Sequence, residues 1–569
     1  MRCACHGVEV TSPGAMPRRS STPARPTMTE AASRPASPVF VNPHERPLPL
    51  YTVAELRAIE AREGARLPAN TLMARAGAAA ARCLLELAEH DGSLAAGRTV
   101  WLAAGPGNNG GDALVCATEL RKAGVDVEVC MPVEVKPDDA RWALARARAA
   151  GVPISAGAPV SFDGYGWLVD GLFGIGLARP LEGLFAELAQ RIAQAAGAGK
   201  PVLALDVPSG LDSDSGNLVG HGPAVRATHT ITFLGAKPGL YMTHGRDLAG
   251  EIAVAPLGVE AHDGTAAALH PAPAGTAGTA ITLLNAPALF CAAFPPRAFA
   301  AHKGTFGSLA VVGGDTGMCG APILAARAAL HAGAGKVHVA FVGAGSPPYD
   351  PPHPELMLHP LDSGHAFALE EMDALALGSG MGRRAIAAEI LLKAVELDVP
   401  KLLDADALNL LADDEKLGAA LAARGAAGHV CVLTPHPLEA ARLIGVNAAA
   451  VQRDRLAAAR TLTSRFGAVV VLKGAGTVVA APDGRTAVNP TGNAALATGG
   501  TGDALGGIIG ALLAQRLPAY EAALAGVYLH GLAADTLVAG GAGPAGLTAS
   551  ELAPAVRASL NRLIYPARG

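Results

Sequence analysis

Short runs of strand-forming residues alternate with longer helix-forming stretches along most of the chain, and the alternation comes in two blocks. In the first block we predict strands at residues 99–103, 125–131, 167–169, 202–205 and 229–233. In the second block we predict strands at residues 308–312, 336–341, 373–377, 401–403, 429–433 and 468–472. Strands that alternate with helices form mostly parallel sheets covered on both faces. The pattern therefore predicts an α/β protein of two domains, each built on a doubly wound sheet.

Composition separates these blocks from two other segments. Residues 1–49 are rich in Pro, Ser, Thr, Ala and Arg without an apolar period, which predicts a disordered N-terminal extension. Residues 258–282 are mostly Ala, Gly, Pro and Thr, and this composition predicts a linker. The two predicted domains are therefore residues 50–257 and 283–569, each long enough to bury its own core.

Net charge, hydropathy and cysteine spacing argue against several classes of protein. The formal net charge is −4, so we expect no basic surface for nucleic acid. No uninterrupted apolar run reaches the roughly 18 residues that span a bilayer, and we expect no membrane partner. The eight cysteines show no zinc-type double pair, which fits a reduced, cytoplasmic protein. The apolar helices leave room for a homo-oligomer.

The segment from Trp101 to Asp112, WLAAGPGNNGGD, joins an apolar strand to a helix through four glycines. Glycines let backbone N–H groups approach a phosphate, and a helix N-terminus adds positive potential. Asn108 and Asn109 add side-chain donors and acceptors at the same place. The alternative is a tight turn without a ligand, because a glycine-rich turn alone is weak evidence for one.

Oxygen-bearing side chains follow other strands of this block. Asp170 ends one strand, and VLALDVPSG brings Asp206 and Ser209 to the end of the next. Ligands of open α/β sheets lie at the carboxyl ends of the strands, and oxygen ligands suit a hard cation. Alternatively, Asp170 is a helix cap. Lys237, in FLGAKPGL, either meets a phosphate or Asp206 or is an ordinary surface lysine.

Together NNGGD, the strand-end aspartate before GIGL, DVPSG and TFLGAKPG resemble the NAD(P)H-hydrate epimerase domain, with a Rossmann-like fold, over about residues 51–257. The resemblance implies that Asp206 is catalytic and faces a hydrated nicotinamide ring. It implies a potassium ion held by Asn109, Asp170 and Ser209. The implied contacts to the hydrated nucleotide, besides Asp206, are Asn108, Asn109, Gly110, Gly111, Asp112, Gly174, Ile175, Gly176, Leu177, Ala178, Arg179 and Pro180.

In the second block nearly every predicted strand ends in a polar or glycine-rich cluster, and the most informative are NPTGN at 489–493 and TGGTGDALGG at 498–507. The glycines before Asp503 leave backbone N–H groups free at a helix start, where they would stabilise charge on a transferring phosphate. Asp503 lies in the first turn and could accept a proton from an attacking hydroxyl. The alternative is an aspartate favoured only by the helix dipole. The many polar strand ends favour a catalytic site.

The GTGD turn resembles that of the ribokinase-like fold, an α/β/α domain. More narrowly, AHKGTFG, GMCGA, LDADALNLL, TPHPLEAARL, LKGAGT and NPTGNAALATGGTGD resemble the ADP-dependent NAD(P)H-hydrate dehydratase from about residue 283 onward. The resemblance implies contacts to the hydrated cofactor at Ala321, Gly380, Gly382, His436 and Asp503. It implies ADP contacts at Lys473, Gly474, Ala475, Gly476, Thr477 and Gly502, with magnesium on the nucleotide phosphates. His436 by itself suits a core or capping histidine, but its position in TPHP at a strand end favours a ligand contact.

The two resemblances imply a bifunctional metabolite repair enzyme. It would interconvert the R and S forms of hydrated NADH and NADPH (NADHX and NADPHX). It would dehydrate the S form with ADP or ATP, restoring NAD(P)H with release of AMP and phosphate when ADP is used. One alternative is a ribokinase-like kinase for a vitamin precursor alcohol, which would leave a stable phosphate ester. A second is a non-catalytic nucleotide sensor or partner-binding protein, and the intact glycine settings of Asp206 and Asp503 argue against it.

Overall fold

The first sheet is built from strands of the N-terminal half of the protein. The structure is a computed structural model that describes residues 39–41, 46–94, 98–259, 281–361 and 367–565. The strands of this sheet are β1 Val39–Phe40, β3 Thr99–Ala104, β4 Val127–Cys130, β5 Ile154–Ser155, β6 Tyr165–Gly171, β7 Val202–Leu205, β8 His229–Phe233 and β9 Glu251–Ala255. Their order across the sheet is β1-β9-β8-β7-β6-β3-β4-β5, and every pair is parallel except β1 with β9.

The helices of this half precede β3 or connect later strands of the first sheet. They are α1 Val53–Gly64, α2 Thr71–Asp91, α3 Asn108–Lys122, α4 Asp138–Ala149, α5 Gly183–Gly197 and α6 Gly245–Leu248. The start of α1 follows from local sequence, because Thr52 and Glu55 form a reciprocal capping box that satisfies two free N–H groups.

The second sheet has eleven strands, and one of them comes from the N-terminal half. The strands are β2 Pro49–Leu50, β10 Thr282–Leu284, β11 Ser308–Gly313, β12 Lys336–Phe341, β13 Met357–Pro360, β14 Ala374–Leu377, β15 Lys401–Leu403, β16 Cys431–Leu433, β17 Val469–Leu472, β18 Val478–Ala480 and β19 Thr486–Val488. Their order is β13-β12-β11-β14-β15-β16-β17-β18-β19-β10-β2. Neighbours from β13 to β17 are parallel, whereas β17-β18-β19 form an antiparallel meander.

The helices of the second half lie on both faces of this sheet. They are α7 Gly320–His331, α8 Ala385–Glu396, α9 Ala405–Asp413, α10 Glu415–Ala426, α11 Pro437–Ile444, α12 Ala448–Arg453, α13 Arg455–Phe466, α14 Thr501–Ala514, α15 Ala519–Ala539 and α16 Ala549–Ile564. Within the described ranges, α15 is the one helix long and apolar enough to cross a membrane by length and composition, and 67% of its most apolar window is buried inside the protein.

Both sheets are buried on both faces, as the apolar character of their strands predicts. In β3, Val100 and Leu102 belong to one core cluster, and Trp101 and Ala103 belong to the cluster on the opposite face. Successive residues of β11 alternate in the same way between two larger core clusters. The predicted α/β architecture, with two mostly parallel sheets covered on both faces, is therefore confirmed.

Two segments differ from the expectations drawn from composition. The prediction of disorder for residues 1–49 is wrong where the structure describes them, because β1 pairs with the edge strand β9 and Pro49 pairs with Leu283 of β10. Open sheet edges offer hydrogen bonds that a low-complexity segment can use. Residues 1–38 and 42–45 lie outside the described residues, as does most of the predicted linker (260–280). The last linker residue, Thr282, belongs to β10.

Candidate active sites

The first candidate site lies where β3 and β6 are neighbours at the carboxyl edge of the first sheet. The chain leaves these two strands toward opposite sides of the sheet, and ligands of doubly wound sheets bind at such a switch point. Asn109, at the start of α3, is buried there, and among the described residues neither its amide oxygen nor its amide nitrogen has a partner. Buried amides normally have hydrogen-bond partners, so Asn109 is available to a ligand. Gly110 permits the turn, because a Cβ would lie 1.9 Å from the Gly105 carbonyl oxygen.

Asp170 and Ser209 meet beside this turn. Ser209 donates its N–H to Oδ2 of Asp170 at 2.8 Å and its hydroxyl to Oδ1 at 2.7 Å. Burial raises the pKa of Asp170 to about 6, although the hydrogen bonds from Ser209 and Leu172 favour the ionised form. The alternative role of Asp170 as a helix cap is wrong, because the residue lies inside β6 and its carboxylate bonds to these two residues.

Asp206 follows β7 and is the most constrained carboxylate of this site. Its φ of +68° lies in the left-handed region that non-glycine residues seldom adopt, and such strain is concentrated at functional sites. The Ile175 N–H donates to Oδ2 at 3.2 Å, and Nζ of Lys237 lies 2.5 Å from Oδ1. Lys237 also donates to the Phe233 carbonyl at 2.8 Å and is only 1% exposed. Of the alternatives for Lys237, the structure therefore selects contact with Asp206 over a surface position.

The predicted nucleotide-contacting segment 174–180 divides into two parts. Gly174 approaches Asp206 so closely that a Cβ there would lie 2.8 Å from Oδ2 of the carboxylate. Pro180 instead packs against Gly220 and Gly222. The first part therefore borders the site, and the second part supports a neighbouring loop.

Two more carboxylates lie close enough to Asp206 for its charge to affect their pKa values. Burial, followed by the nearby charge of Asp206, raises the pKa of Asp112 well above its ordinary value. The same two causes raise the pKa of Glu60. Glu60 was missed in the sequence, because α1 carries no motif that singles it out. The first site thus combines one lysine-paired carboxylate with neighbours that hold protons more readily than free acids.

The second candidate site lies at the switch point of the second sheet, where β11 has β12 on one side and β14 on the other. Asp503 stands in the first turn of α14. Burial raises its pKa to about 6, against the effect of a hydrogen bond with the Ser379 side chain just after β14. A carboxylate with this pKa is ionised at neutral pH and is more basic than an exposed aspartate.

An ion pair between Lys473 and Asp404 stands beside Asp503. Their Nζ and Oδ1 atoms are 2.6 Å apart, and the Asp404 side chain is 4% exposed. Although burial opposes the charge of Lys473, Asp404 and Glu439 raise the pKa of its ammonium group, and Asp503 contributes in the same direction. The site therefore keeps a fixed positive charge next to its candidate base.

The other predicted substrate contacts lie on the same edge. A Cβ on Gly380, whose φ is +56°, would lie 3.3 Å from Cβ of Ala321, so these two residues are neighbours. The Gly382 N–H donates to Oδ2 of Asp406 at 2.9 Å. His436 caps α11, accepting the N–H groups of Leu438 and Glu439 through Nδ1. His436 therefore has the capping role that the sequence left open as the alternative to a ligand contact.

The predicted ADP contacts line one cavity of about 550 Å³. Lys473, Gly474, Ala475, Gly476, Thr477 and Gly502 form one side of it. Asn489, Thr491, Gly492 and Asn493 of the NPTGN motif line it as well. The cavity is continuous with the Lys473 charge and with the first turn of α14, as transfer of a phosphoryl group to an oxygen near Asp503 would require.

Comparison with known proteins identifies the family of the chain. A family model described as NAD(P)H-hydrate dehydratase matches residues 309–556, and one described as YjeF-related protein N-terminus matches residues 69–239. A bifunctional NAD(P)H-hydrate repair enzyme of Coxiella burnetii is 38% identical over 496 residues, covering 86% of this chain and 94% of the relative. The chain belongs to the family of bifunctional NAD(P)H-hydrate repair enzymes.

Other members and relatives of the family match one half. An ADP-dependent (S)-NAD(P)H-hydrate dehydratase of Neisseria meningitidis is 48% identical over 280 residues, covering 48% of this chain and 90% of the relative. A solved ADP/ATP-dependent NAD(P)H-hydrate dehydratase of Bacillus subtilis, co-crystallised with ATP and Mg²⁺, is 30% identical. The match covers 49% of this chain and 97% of the Bacillus subtilis chain, with a TM-score of 0.41.

Ser379 in GSGMG and Asp404 in LDADAL were present in recognised motifs without an assigned role. In this member of the repair family, Ser379 hydrogen-bonds to Asp503 and Asp404 pairs with Lys473, and both partners are candidate site residues distant in sequence. Their position at strand ends was a usable signal, but their partners depend on which strands are neighbours.

Proposed function

We propose that the chain carries out both reactions of its family on hydrated NADH and NADPH. The N-terminal domain interconverts the R and S forms, and the C-terminal domain dehydrates the S form with ADP or ATP. With ADP the products are NAD(P)H, AMP and phosphate. The observation that carries the proposal is that Asp206 and Asp503 each lie at the carboxyl edge of a separate sheet beside a lysine that is paired with an aspartate.

For epimerisation, Asp206 would act on the hydroxyl at C6 of the hydrated ring. That carbon is bonded to the ring nitrogen, so hydroxide can leave to give an iminium-like ring and return from the other face. Asp206 would carry the proton in both directions. The ion pair with Lys237 and the hydrogen bond from Ile175 hold the carboxylate in one orientation, which such a transfer requires.

Potassium would bind next to this carboxylate through Asn109, Asp170 and Ser209. These residues fit the ion, because the Asn109 amide oxygen has no partner among the described residues and Asp170 offers a buried carboxylate. Oxygen donors without sulfur or imidazole suit a hard cation. When bound, potassium would add a fixed positive charge near the substrate phosphates.

For dehydration, Asp503 would take the proton of the C6 hydroxyl while the oxygen attacks the terminal phosphorus of the nucleotide. A P–O bond forms to the substrate, and AMP leaves when ADP is the donor. The ring nitrogen then expels phosphate from C6, and loss of a proton from C5 restores NAD(P)H. Magnesium would lie on the nucleotide phosphates, as in phosphoryl transfer generally. Lys473 supplies a protein charge at the same place.

Two properties of the whole protein stay proposals. We propose a reducing, cytoplasmic location, which is supported by the free thiols of all six described cysteines. A homo-oligomer is also proposed, and sedimentation equilibrium measures it directly. The ratio of kcat/KM with ADP to kcat/KM with ATP measures the nucleotide preference.

The test incubates the full chain with mixed R and S hydrate, ADP and magnesium. We expect both epimers to disappear, with one free phosphate formed for each NAD(P)H restored. Asp206→Asn should consume only the S form, and Asp503→Asn should interconvert epimers without restoring NAD(P)H. A stable phosphorylated product would instead identify a kinase. Continued epimerisation by Asp206→Asn would remove that residue from the mechanism.

A further inference from the structure

The ADP cavity of the C-terminal domain has a wall from the other domain. Arg246 and Asp247, both on α6, line it together with the residues described above. The backbone before α6 is packed against the LKGAGT loop: the Thr243 N–H donates to the Ala475 carbonyl at 3.1 Å. Gly476, with φ of +68°, has no room for a Cβ, which would lie 2.2 Å from the Tyr241 carbonyl oxygen. The epimerase domain therefore reaches the rim of the nucleotide cavity.

Arg246 connects α6 of the epimerase domain to the NPTGN loop of the C-terminal domain. Its guanidinium donates to the carbonyl oxygens of Pro490 and Gly492, the second at 2.6 Å. Both carbonyls belong to the NPTGN loop, which lines the cavity. Asp535 holds the same loop from the other side, accepting the Gly492 N–H at 2.8 Å and the Asn493 side-chain amide at 2.8 Å. The Thr491 hydroxyl also donates to the Tyr528 carbonyl at 2.9 Å, so the loop is held by several groups of its own domain and by Arg246 of the other.

We propose that the epimerase domain completes the nucleotide site of the dehydratase domain, with Arg246 as a positioning residue that fixes the NPTGN loop around ADP. The proposal rests on the use of ADP by the C-terminal domain. Without Arg246 the loop would have to be ordered when the nucleotide binds, and this cost lowers affinity. The reacting groups around Asp503 lie on other elements, so the loss should affect nucleotide binding more than the rate at saturation.

Steady-state dehydration by the full chain tests this separation. For Arg246→Ala we expect the KM for ADP to rise at least tenfold while kcat changes less than about twofold. Arg246→Lys keeps the charge but cannot hold both carbonyls as the guanidinium fork does, so its KM should be intermediate. Epimerisation by these variants should match the wild type. An Arg246→Ala enzyme with unchanged KM for ADP would overturn the proposal.

Asn217→Ala is the matched control. The Asn217 side-chain amide donates across the domain boundary to the Gln452 carbonyl at 2.9 Å, and neither residue lines the cavity. We expect this variant to keep the wild-type KM for ADP. An equal rise in both variants would mean that general domain docking is responsible, and the proposal would be wrong. Failure of the wild type to dehydrate the substrate would instead contradict the proposed function.

Hydrogen exchange on the wild type gives a test that does not depend on variants folding. If ADP binds between the two walls, residues 243–248 of the epimerase domain should exchange more slowly with ADP than without it. Helix α1, on the same domain, should show no such change. Equal exchange at 243–248 with and without ADP would overturn the proposal.

Discussion

Dehydration should lose activity below about pH 6, because the candidate base Asp503 must be ionised to accept a proton. Burial raises the pKa of Asp503 to about 6. About nine tenths of the free enzyme would then be ionised at pH 7, and about one tenth at pH 5. We therefore expect kcat/KM for dehydration to fall about tenfold between its alkaline plateau and pH 5.

A substitution at Ser379 should change the pH at which kcat/KM for dehydration falls, which is the inflection of the pH profile. Its hydrogen bond favours the ionised form of Asp503, and a hydrogen bond to a charged group contributes about 1.5–3 kcal/mol. One pKa unit corresponds to about 1.4 kcal/mol, so Ser379→Ala should raise the inflection by about one to two units. The expected loss at pH 7 is about two- to tenfold, with little loss at pH 9.

The assay follows the recovery of reduced-nicotinamide absorbance from the S hydrate, with ADP and magnesium held constant across the pH range. Asp503→Asn is the control, because any inflection it retains comes from another group, such as the phosphates of ADP or Glu439, whose pKa burial raises to about 7. Its plateau should be lower by about 10²–10⁴-fold, the usual contribution of a general base. The reasoning is refuted if Asp503→Asn keeps the full inflection, or if Ser379→Ala leaves it in place or lowers it.

Two further predictions concern the N-terminal domain. Potassium at ten times its dissociation constant should raise the unfolding temperature by about 3–5 °C above pH 6, where Asp170 is ionised, and less below it; sodium is the control ion. The same shift in Asp170→Asn would contradict the proposed site. Gly110→Ala should lower the unfolding temperature by several degrees, because its Cβ would lie 1.9 Å from the Gly105 carbonyl oxygen, whereas Gly107→Ala, with no atom within 4 Å, should not. Equal melting of the two variants would contradict the steric argument.

Much of the fold followed from local pattern. Strands at 202–205, 229–233, 336–341 and 401–403 have the predicted bounds. These runs are short, mostly apolar or β-branched, and bounded by turn-forming residues, so their length and composition identify them as strands. The glycine-rich turns before α3 and α14 were equally visible, because close backbone approach requires residues without side chains.

Strand order and long-range contacts required the tertiary structure. The strands that were not predicted are β1, β2, β5, β9, β10, β13, β18 and β19. Most of them are two to four residues long and show no period in the sequence, so their partners in the sheet define them.

The motif around Asp503 shows the same division. Its sequence alone determined a helix-initial aspartate behind glycines, because these are local requirements of the turn. The tertiary structure brought Ser379 and Lys473 to it from strands 124 and 30 residues earlier, by placing β14 and β17 in one parallel sheet. It also brought Arg246 of the other domain to the cavity that the predicted ADP contacts line. Motif chemistry is local, whereas the partners that tune it are set by strand order and domain packing.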